Sequence, residues 1–262
     1  MSRLRHHWPE YLIEGWALGM FMISAGAVTT LFEAPGWPLR EAIADAGLRR
    51  VLIGVCMGLT AIALIYSPWG QRSGAHMNPA VTFTFWRLGK VSGVDALAYG
   101  VAHFIGGMLG VVVVVALFGD AFTAAPVRYV VTLPGPAGDV VAFLAELVIS
   151  LLLMLAVLTA SNHPRFAPYT GFIAGALVAT WISIEAPLSG MSMNPARSFA
   201  SAAPAGSWES LWLYFTAPVL GMLAAAELWL LTDRRVGCAK LLHPSDVRCI
   251  HCGHEPAPRN TP

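Results

Sequence analysis

The sequence predicts an all-α membrane protein with six transmembrane helices and two re-entrant half-helices, arranged as an inverted three-plus-three repeat. Three observations carry this prediction. Hydrophobic residues make up 56% of the 262 residues and charged residues only 12%, against about 45–50% and about 25% in soluble domains. The hydrophobic residues are concentrated in six long runs. The tetrapeptide MNPA occurs twice, each time following a Ser-Gly pair, in the frames SGAHMNPAV and SGMSMNPARSF.

Each apolar run is predicted to be one transmembrane helix. A membrane helix needs about 17–25 apolar residues to cross the hydrocarbon core, and most of the runs reach that length. The runs cover residues 11–32, 51–68, 94–118, 140–160, 169–187 and 208–231. We expect the first run to be retained and not cleaved as a signal peptide, because Glu14 interrupts its apolar core and its removal would leave an odd number of spans.

The basic residues predict the orientation in the membrane. With the N-terminus inside, eleven of the 16 lysines and arginines fall on the cytoplasmic side: Arg3, Arg5, Arg72, Arg87, Lys90, Arg165, Arg234, Arg235, Lys240, Arg248 and Arg259. The positive-inside rule therefore places both termini in the cytoplasm of a multi-pass protein of the plasma or inner membrane. The formal net charge is only +1, so the expected partner is the lipid bilayer and not nucleic acid.

The repeated MNPA frame divides the chain into two halves. We assign residues 1–10 to a cytoplasmic N-terminus, 11–118 to the first repeat, 119–139 to a Pro- and Gly-rich extracellular linker, 140–231 to the second repeat, and 232–262 to a cytoplasmic tail. Three spans per half is an odd number, so the second half must run in the opposite direction to the first. The site of an inverted repeat normally lies between the halves, near the membrane midplane.

Small residues predict close packing of the spans. Four G-x-x-x-G pairs occur in four different spans: Gly15 with Gly19, Gly54 with Gly58, Gly106 with Gly110, and Gly171 with Gly175. Glycines at this spacing let helix backbones approach closely in lipid. We therefore expect a tightly packed bundle around something narrow.

The two MNPA segments are predicted to begin short helices inside the membrane. Asn is a favoured N-cap and Pro is favoured in the first helical turn, so Asn78-Pro79-Ala80 and Asn194-Pro195-Ala196 each read as a helix start. Too few residues follow either start to cross a bilayer. Non-helical backbone at this depth is tolerated only where protein buries it or where it lines a watery cavity. We expect the two half-helices to meet N-terminus to N-terminus in mid-membrane.

This geometry has electrostatic consequences. Each helix start carries roughly half a positive charge and unpaired N–H groups, so two such ends facing one pore repel cations. Asn78 and Asn194 can donate amide hydrogens to a neutral solute, and Arg197 adds a full positive charge. A single Asn-Pro-Ala would indicate only a turn or a helix start. Two copies in one frame, within an inverted repeat, indicate a pore.

The two frames resemble the paired signature of the aquaporin (major intrinsic protein) family, and the likeness covers residues 11 to 231. The resemblance implies a homotetramer with one pore per subunit that passes water or small neutral solutes, without enzymatic activity and without a cofactor. By position, Asn78 and Asn194 match the pore asparagines and Arg197 the arginine of the outer constriction. Glu14 and Glu146 match the glutamates that brace the two pore loops.

The same resemblance assigns the predicted filter, which departs from the usual pattern. Its members are Met57, Ile182, Met191 and Arg197, with Gly58 as an alternative to Met57. A water-selective member typically has an aromatic residue, a histidine and a small residue or cysteine there, and the glycerol-conducting branch has Asp where this chain has Ser198. Water conduction is expected to be slow. Ammonia, hydrogen peroxide and glycerol are alternative candidate permeants. Alternatively, the three apolar residues simply pack against lipid or in the core.

Two histidines are singled out by their positions. His76, beside the first MNPA, matches a pore-lining histidine of many relatives. His103 stands where the family more often has glutamine, and is either an interhelical hydrogen-bonding residue or a pH-sensitive element.

The tail is rich in metal-ligating side chains. It contains Cys238, His243, Cys249, His251, Cys252 and His254. The pair Cys249 and Cys252 forms a C-x-x-C motif, which is half of a zinc-ribbon ligand set, and Cys238 or His254 could complete four ligands. The alternative is a reduced, flexible tail that holds no metal.

Two other functional classes compete with the channel. A membrane enzyme is disfavoured, because the spans contain no Ser-His-Asp set, no paired carboxylate cluster and no H-E-x-x-H motif. A metal- or redox-sensing membrane protein, with the tail as its active part, is the remaining alternative.

Overall fold

The structure, a computed structural model, describes residues 2–232 and 234–256, so Arg259 and the predicted tail beyond residue 256 lie outside the described residues. The longer helices are α1 (Ser2–Glu33), α2 (Ala46–Tyr66), α3 (Pro79–Arg87), α4 (Gly93–Phe118), α5 (Asp139–Ser161), α6 (Thr170–Ile184), α7 (Pro195–Ala205) and α8 (Leu211–Leu230). Shorter α-helices cover Pro38–Ala42, Pro68–Ser73, Asp120–Thr123 and Ala186–Ser189, and 3₁₀ turns cover Arg128–Val130 and Ala167–Tyr169.

Among the described residues, six helices are long and apolar enough to cross a membrane, namely α1, α2, α4, α5, α6 and α8. This confirms the predicted number of spans. The helix that contains the first apolar run extends beyond it towards the N-terminus, because α1 begins at Ser2. Its polar first turns find partners in other elements: His7 Nδ1 lies 2.8 Å from Asp95 Oδ1, and Glu10 Oε1 accepts from Arg72 Nε at 3.0 Å. Hydropathy alone does not register such contacts.

The two half-helices α3 and α7 begin at the predicted residues. Asn78 caps α3 by accepting from Ala80 N, and Asn194 caps α7 by accepting from the backbone N–H groups that follow it. A proline occupies the first turn of each helix, where a missing N–H costs no helical hydrogen bond. Since α3 has 9 residues and α7 has 11, neither can cross the bilayer.

The predicted glycine pairs form two helix crossings. Gly15 and Gly19 of α1 pack on α4, where a methyl group added to Gly19 would lie only 2.9 Å from the carbonyl oxygen of Gly106. Gly58 of α2 packs on α6, where an added methyl group would lie 2.5 Å from the carbonyl oxygen of Gly175. The first crossing lies within one half of the chain, and the second joins the two halves. Close backbone packing of these spans is therefore confirmed.

Large apolar side chains cover the outside of the bundle. On α4, one exposed stripe consists of Leu97, Val101, Ile105 and Leu109, which follow one another at four-residue spacing. Residues at this spacing share one face of a helix. Such an apolar face suits the hydrocarbon interior of a membrane.

The number of crossings fixes which loops share a side of the membrane. The chain has crossed twice at the end of α2 and six times at the end of α8, so the loop before α3 lies on the same side as the tail. We call this the tail side. The linker 119–139 and the loop before α7 follow odd numbers of crossings and lie on the opposite side, which we call the filter side.

Candidate pore, its loops and the tail cluster

The two half-helices meet at their N-termini through reciprocal hydrogen bonds. Asn78 Nδ2 donates to the carbonyl oxygen of Met193 at 2.6 Å, and Asn194 Nδ2 donates to the carbonyl oxygen of Met77 at 2.7 Å. Each asparagine thus uses its oxygen to cap its own helix and one amide hydrogen to hold the opposite loop. An amide nitrogen carries two hydrogens, so one hydrogen per asparagine remains for a solute in the pore.

Glu14 of α1 holds the first pore loop, residues 73–78. Its Oε1 accepts from Ser73 Oγ at 2.6 Å and from His76 N at 3.1 Å. Its Oε2 accepts from Met77 N at 2.7 Å and lies 2.9 Å from His103 Nε2. The carboxylate is fully buried, and four polar partners compensate it for the loss of water.

Glu146 of α5 holds the second pore loop, residues 189–194, in the same way. Its Oε1 accepts from Ser189 Oγ at 2.8 Å and from Ser192 N at 2.6 Å, and its Oε2 accepts from Met193 N at 2.7 Å. The fourth partner is absent here among the described residues, because Pro218 takes the place that His103 has relative to the preceding tyrosine. The geometry of both glutamates is that of the predicted loop braces.

Both loops contain strained backbone at matching positions. Ala75 and Met77 in the first loop have φ of 55° and 51°, and Met191 and Met193 in the second have φ of 51° and 52°. Residues other than glycine rarely adopt positive φ. Such strain persists only where the surroundings over-determine the conformation, and here the buried glutamates hold the intervening N–H groups.

A cavity of about 350 Å³ passes between the two halves of the chain. Asn78 and Asn194 line its middle, Val130 of the linker lines it on the filter side, and Leu241 of the tail lines it on the tail side. Its remaining walls are mainly apolar. A small solute inside it therefore finds few hydrogen-bonding groups other than those of the two pore loops.

The predicted filter residues all line this cavity. They are Met57, Ile182, Met191 and Arg197. Gly58 faces the backbone of Gly175 and is not among the lining residues, so the structure favours Met57 at that position. Met57 and Met191 are also buried, and Ile182 packs against the same apolar cluster as Met191, so core packing stays open as the alternative role of these three side chains.

Arg197 is held on the filter side by the linker. Its backbone N–H donates to Asn194 Oδ1 at 3.2 Å, and its Nη1 donates to the carbonyl oxygen of Val130 at 2.9 Å. The linker is therefore more than a connection between the repeats, because it positions the guanidinium and contributes to the wall of the cavity.

The two singled-out histidines have defined partners. His76 lines the cavity, but its ring is engaged on both sides: Nδ1 lies 2.8 Å from Thr82 Oγ1, and Nε2 donates to the carbonyl oxygen of Ala239 at 2.7 Å. His103 is fully buried and bonds Glu14 from a neighbouring helix. The predicted interhelical hydrogen bond of His103 is therefore present.

Sequence reasoning missed two pairs of supporting residues. Ser73 and Ser189 bond the bracing glutamates, and their carbonyl oxygens accept from Tyr99 Oη at 2.8 Å and Tyr214 Oη at 2.5 Å. The serines belong to the repeated Ser-Gly pairs, so the repeat itself pointed to them. The two tyrosines share no repeated motif and could not have been found in this way.

The tail brings four ligand atoms together, in a set that differs from the predicted one in a single member. The side chains of Cys238, His243, Cys249 and Cys252 place their ligand atoms within 4.8 Å of one another. His254 was a predicted candidate, but its Nε2 donates instead to the carbonyl oxygen of Ser245 at 2.7 Å. We call these four residues the tail cluster.

Two of its cysteines share a hydrogen bond. The sulfurs of Cys238 and Cys249 lie 3.4 Å apart, and this bond lowers the pKa of the Cys249 thiol and raises the pKa of Cys238.

Comparison with known proteins agrees with this geometry. The profile of the family described as "Major intrinsic protein" matches residues 6–229. Aquaporin NIP1-1 of Arabidopsis thaliana is 34% identical over 180 residues, which cover 68% of this chain and 60% of that protein, so the chain spans about three fifths of its relative's length. The probable aquaporin AqpM of Archaeoglobus fulgidus is 36% identical over 185 residues, or 68% of this chain and 74% of that protein.

Among solved structures, the aquaglyceroporin from Plasmodium falciparum superposes with a TM-score of 0.73 over 85% of this chain and 95% of that one. Its sequence identity is 18%, so the likeness concerns the fold.

Proposed function

The chain belongs to the major intrinsic protein family, and on that premise we propose that it is a passive channel for water and small neutral solutes, and not an enzyme. The observation that carries this proposal is the meeting of two half-helix N-termini on one cavity, with Asn78 and Asn194 bonded to the opposite loops at 2.6 and 2.7 Å. A channel of this kind needs a narrow path, donors for an uncharged solute, and a barrier to ions.

The barrier to cations comes from the two helix starts and from Arg197. Each N-terminus contributes roughly half a positive charge, and both act on the same stretch of the cavity. Arg197 adds a full charge on the filter side, where its Nη1 bonds a linker carbonyl. A cation entering from either mouth loses hydration in an apolar cavity while it approaches positive charge, so its free energy rises on both counts.

A neutral solute is not repelled by the positive charge of the helix starts and of Arg197. Water or a small hydroxylic molecule can accept a hydrogen bond from the free amide hydrogen of Asn78 or Asn194 as it passes. This bond partly replaces the hydration that the molecule leaves behind. The two donors lie together at the midpoint of the cavity. They therefore lower the free energy of the solute at the depth where the apolar walls would otherwise raise it most.

The filter sets the rate and the choice of solute. Met57, Ile182 and Met191 offer no hydrogen bond strong enough to compensate dehydration, so the guanidinium of Arg197 is the principal polar group of this constriction. Methionine side chains are flexible and define a width poorly. We propose that water passes more slowly than through a filter with a histidine, and that ammonia, hydrogen peroxide or glycerol also enters.

The same family membership supports a homotetramer with one pore per subunit in the plasma or inner membrane. The excess of Lys and Arg on the tail side supports cytoplasmic termini.

Reconstituted vesicles test the proposal. Vesicles with purified protein are compared with protein-free vesicles. Water permeability is measured under an osmotic gradient, and the permeabilities to ammonia, glycerol, urea and hydrogen peroxide are measured under concentration gradients of each solute. The ionic conductance of the same membranes is also recorded. We expect protein-dependent flux of water and at least one neutral solute, with conductance at the level of the protein-free membrane. Ionic current well above that level would overturn the proposed barrier.

A further inference from the structure

The tail cluster has the composition and spacing of a zinc site. Cys238, His243, Cys249 and Cys252 supply three sulfurs and one imidazole nitrogen in the order C-x₄-H-x₅-C-x₂-C. Cys₃His is one of the ligand sets that structural zinc uses, and soft thiolates favour zinc over magnesium or calcium. The C-x-x-C turn is closed by Gly253, whose φ is +73° and whose N–H donates to the carbonyl oxygen of Cys249 at 3.0 Å.

The distances fit a tetrahedral ion. Zinc bonds sulfur at about 2.3 Å and nitrogen at about 2.0 Å, so the ligand atoms of a tetrahedral site lie about 3.5–3.8 Å apart. In the tail, Cys238 Sγ lies 3.4 Å from Cys249 Sγ, and His243 Nε2 lies 3.1 Å from Cys252 Sγ. All four atoms lie within 4.8 Å of one another. Small side-chain movements therefore suffice to surround one ion.

A buried lysine supplies the charge that such a site requires. Three thiolates and one Zn²⁺ carry a net charge of −1. Lys240 is only 2% exposed, and its Nζ donates to the carbonyl oxygen of Arg248, the residue before Cys249, at 2.8 Å. An ammonium beside the cluster offsets the excess negative charge within the fold.

The same segment covers the tail-side end of the pore. The carbonyl oxygen of Ala239 accepts from His76 Nε2 at 2.7 Å, and the N–H of Leu241 donates to the carbonyl oxygen of Gly74 at 3.2 Å. Farther along, His251 Nε2 donates to the carbonyl oxygen of Ser73 at 3.1 Å. Three polar contacts thus join the tail to the first pore loop.

Leu241 lies in the pore itself. Its side chain is 6% exposed, it lines the cavity together with the pore asparagines, and it belongs to the same buried apolar cluster as Ala75 and Val81. Leu241, the residue of this segment that lines the cavity, lies between Cys238 and His243 in the chain. Two of the four ligands therefore bracket the segment that carries Leu241, and one ion bound to them would fix both of its ends.

We propose that residues 238–252 form a zinc-binding cap, in which Zn²⁺ on the tail cluster seats Leu241 in the tail-side mouth and restricts flow through the pore without abolishing it. Loss of the ion frees both ends of the segment that carries Leu241, and the tail leaves the mouth. The metal site stands on the tail alone, whereas the restriction of flow rests on the function proposed above.

Metal content tests the site without reference to transport. Purified full-length protein is expected to contain about one zinc per chain by inductively coupled plasma mass spectrometry. Cys252→Ser and His243→Ala are expected to lose it. The matched controls are Cys56→Ser, which changes a cysteine inside α2, and His254→Ala, which changes a tail histidine outside the cluster. Protein without zinc, even after incubation with zinc chloride, overturns the site, as does a Cys238–Cys249 disulfide found by intact mass.

Water permeability tests the cap. We expect a several-fold increase when a membrane-permeant zinc chelator is added to vesicles with the full-length protein, and a reversal on adding back zinc chloride. Cys252→Ser and a chain ending at Val236 are expected to be permeable with or without chelator. Leu241→Ala is expected to keep its zinc and to be permeable throughout, which separates occlusion by Leu241 from metal binding.

The outcomes separate the cap from the channel. If the chain ending at Val236 and the full-length protein pass water equally, with and without chelator, the cap is overturned and the channel stands. A different outcome is that the full-length protein binds zinc but no solute passes through Leu241→Ala, Cys252→Ser or the truncated chain. That result overturns both the cap and the proposed function. Size-exclusion profiles matching the parent's confirm that each variant is folded.

Discussion

Glu146 is the residue whose replacement best tests how the second pore loop is held. It accepts three hydrogen bonds, from Ser189 Oγ and from the backbone N–H groups of Ser192 and Met193, at 2.6–2.8 Å. Glu146→Gln keeps the size of the side chain but replaces one oxygen with an NH₂ group. The hydroxyl of Ser189 can rotate to accept from this group, but a backbone N–H cannot. Whichever way the glutamine amide points, one loop N–H faces a donor.

The cost follows from that count. Leaving one buried donor without a partner costs about 1–3 kcal/mol. For a chain of this size, 1 kcal/mol shifts the melting temperature by about 2–4 °C, so the expected decrease is roughly 2–12 °C. Because Met193 carries the carbonyl that binds Asn78, the change should also displace the meeting point and lower the water permeability per channel.

The assay is thermal unfolding of purified protein in detergent, with water permeability of vesicles as the second readout. Ser150→Ala is the matched control, since Ser150 is fully buried on the same helix, one turn after Glu146, and its hydroxyl has no partner among the described residues. Its melting temperature should equal or exceed that of the parent. If Glu146→Gln melts no lower than Ser150→Ala, the carboxylate does not hold the loop as argued here.

Two further predictions concern the barrier and the filter. Asn78→Asp and Asn194→Asp each put a carboxylate at a half-helix start and remove an amide donor. The carboxylate offsets the positive helix end, so the cation conductance of vesicles should rise. Conductance equal to the parent's would mean that the helix ends do not form the barrier. Ile182→His should restore a polar group to the filter and narrow it, so that water permeability holds or rises while glycerol permeability falls. The control is Ile184→His, which changes a 64% exposed residue on the same helix. If Ile182→His lowers the melting temperature but leaves the ratio of water permeability to glycerol permeability unchanged, the filter is assigned wrongly.

The parts of the fold that could be predicted are those encoded by local pattern. Hydropathy counts the spans, and Asn-Pro marks the starts of α3 and α7, because a cap and a first-turn proline act within a few residues. Hydropathy does not mark the start of α1, because Glu10 and His7 are stabilised by partners far along the chain. The pattern favoured His254 as the histidine ligand, whereas the folded turn brings His243 to the three cysteines.

The placement of the tail could not have been predicted for a related reason. Ala239 bonds His76 across 163 positions of sequence, and no motif in either segment announces the contact. A C-x-x-C in a short tail predicts a metal ligand but not a location. Only the folded chain shows that the cluster lies beside the mouth of the pore.

The two mouths differ in how their covering segments are tethered, and this difference bears on where gating can occur. On the filter side, Ser192 of the second loop bonds Ser198 Oγ at 2.6 Å, which in turn bonds Thr132 of the linker at 2.6 Å. The linker is anchored at both ends by α4 and α5, so it stays over its mouth.

At the position equivalent to Ser192, the first loop has His76, which bonds the tail. The tail follows α8 and is held over its mouth by three hydrogen bonds to the first pore loop. A mouth covered by such a segment can open without disturbing the bundle, and the tail cluster is the tie that an ion could make or release. The repeat therefore builds two similar loops, and the segments outside it make one mouth a fixed filter and the other a candidate gate.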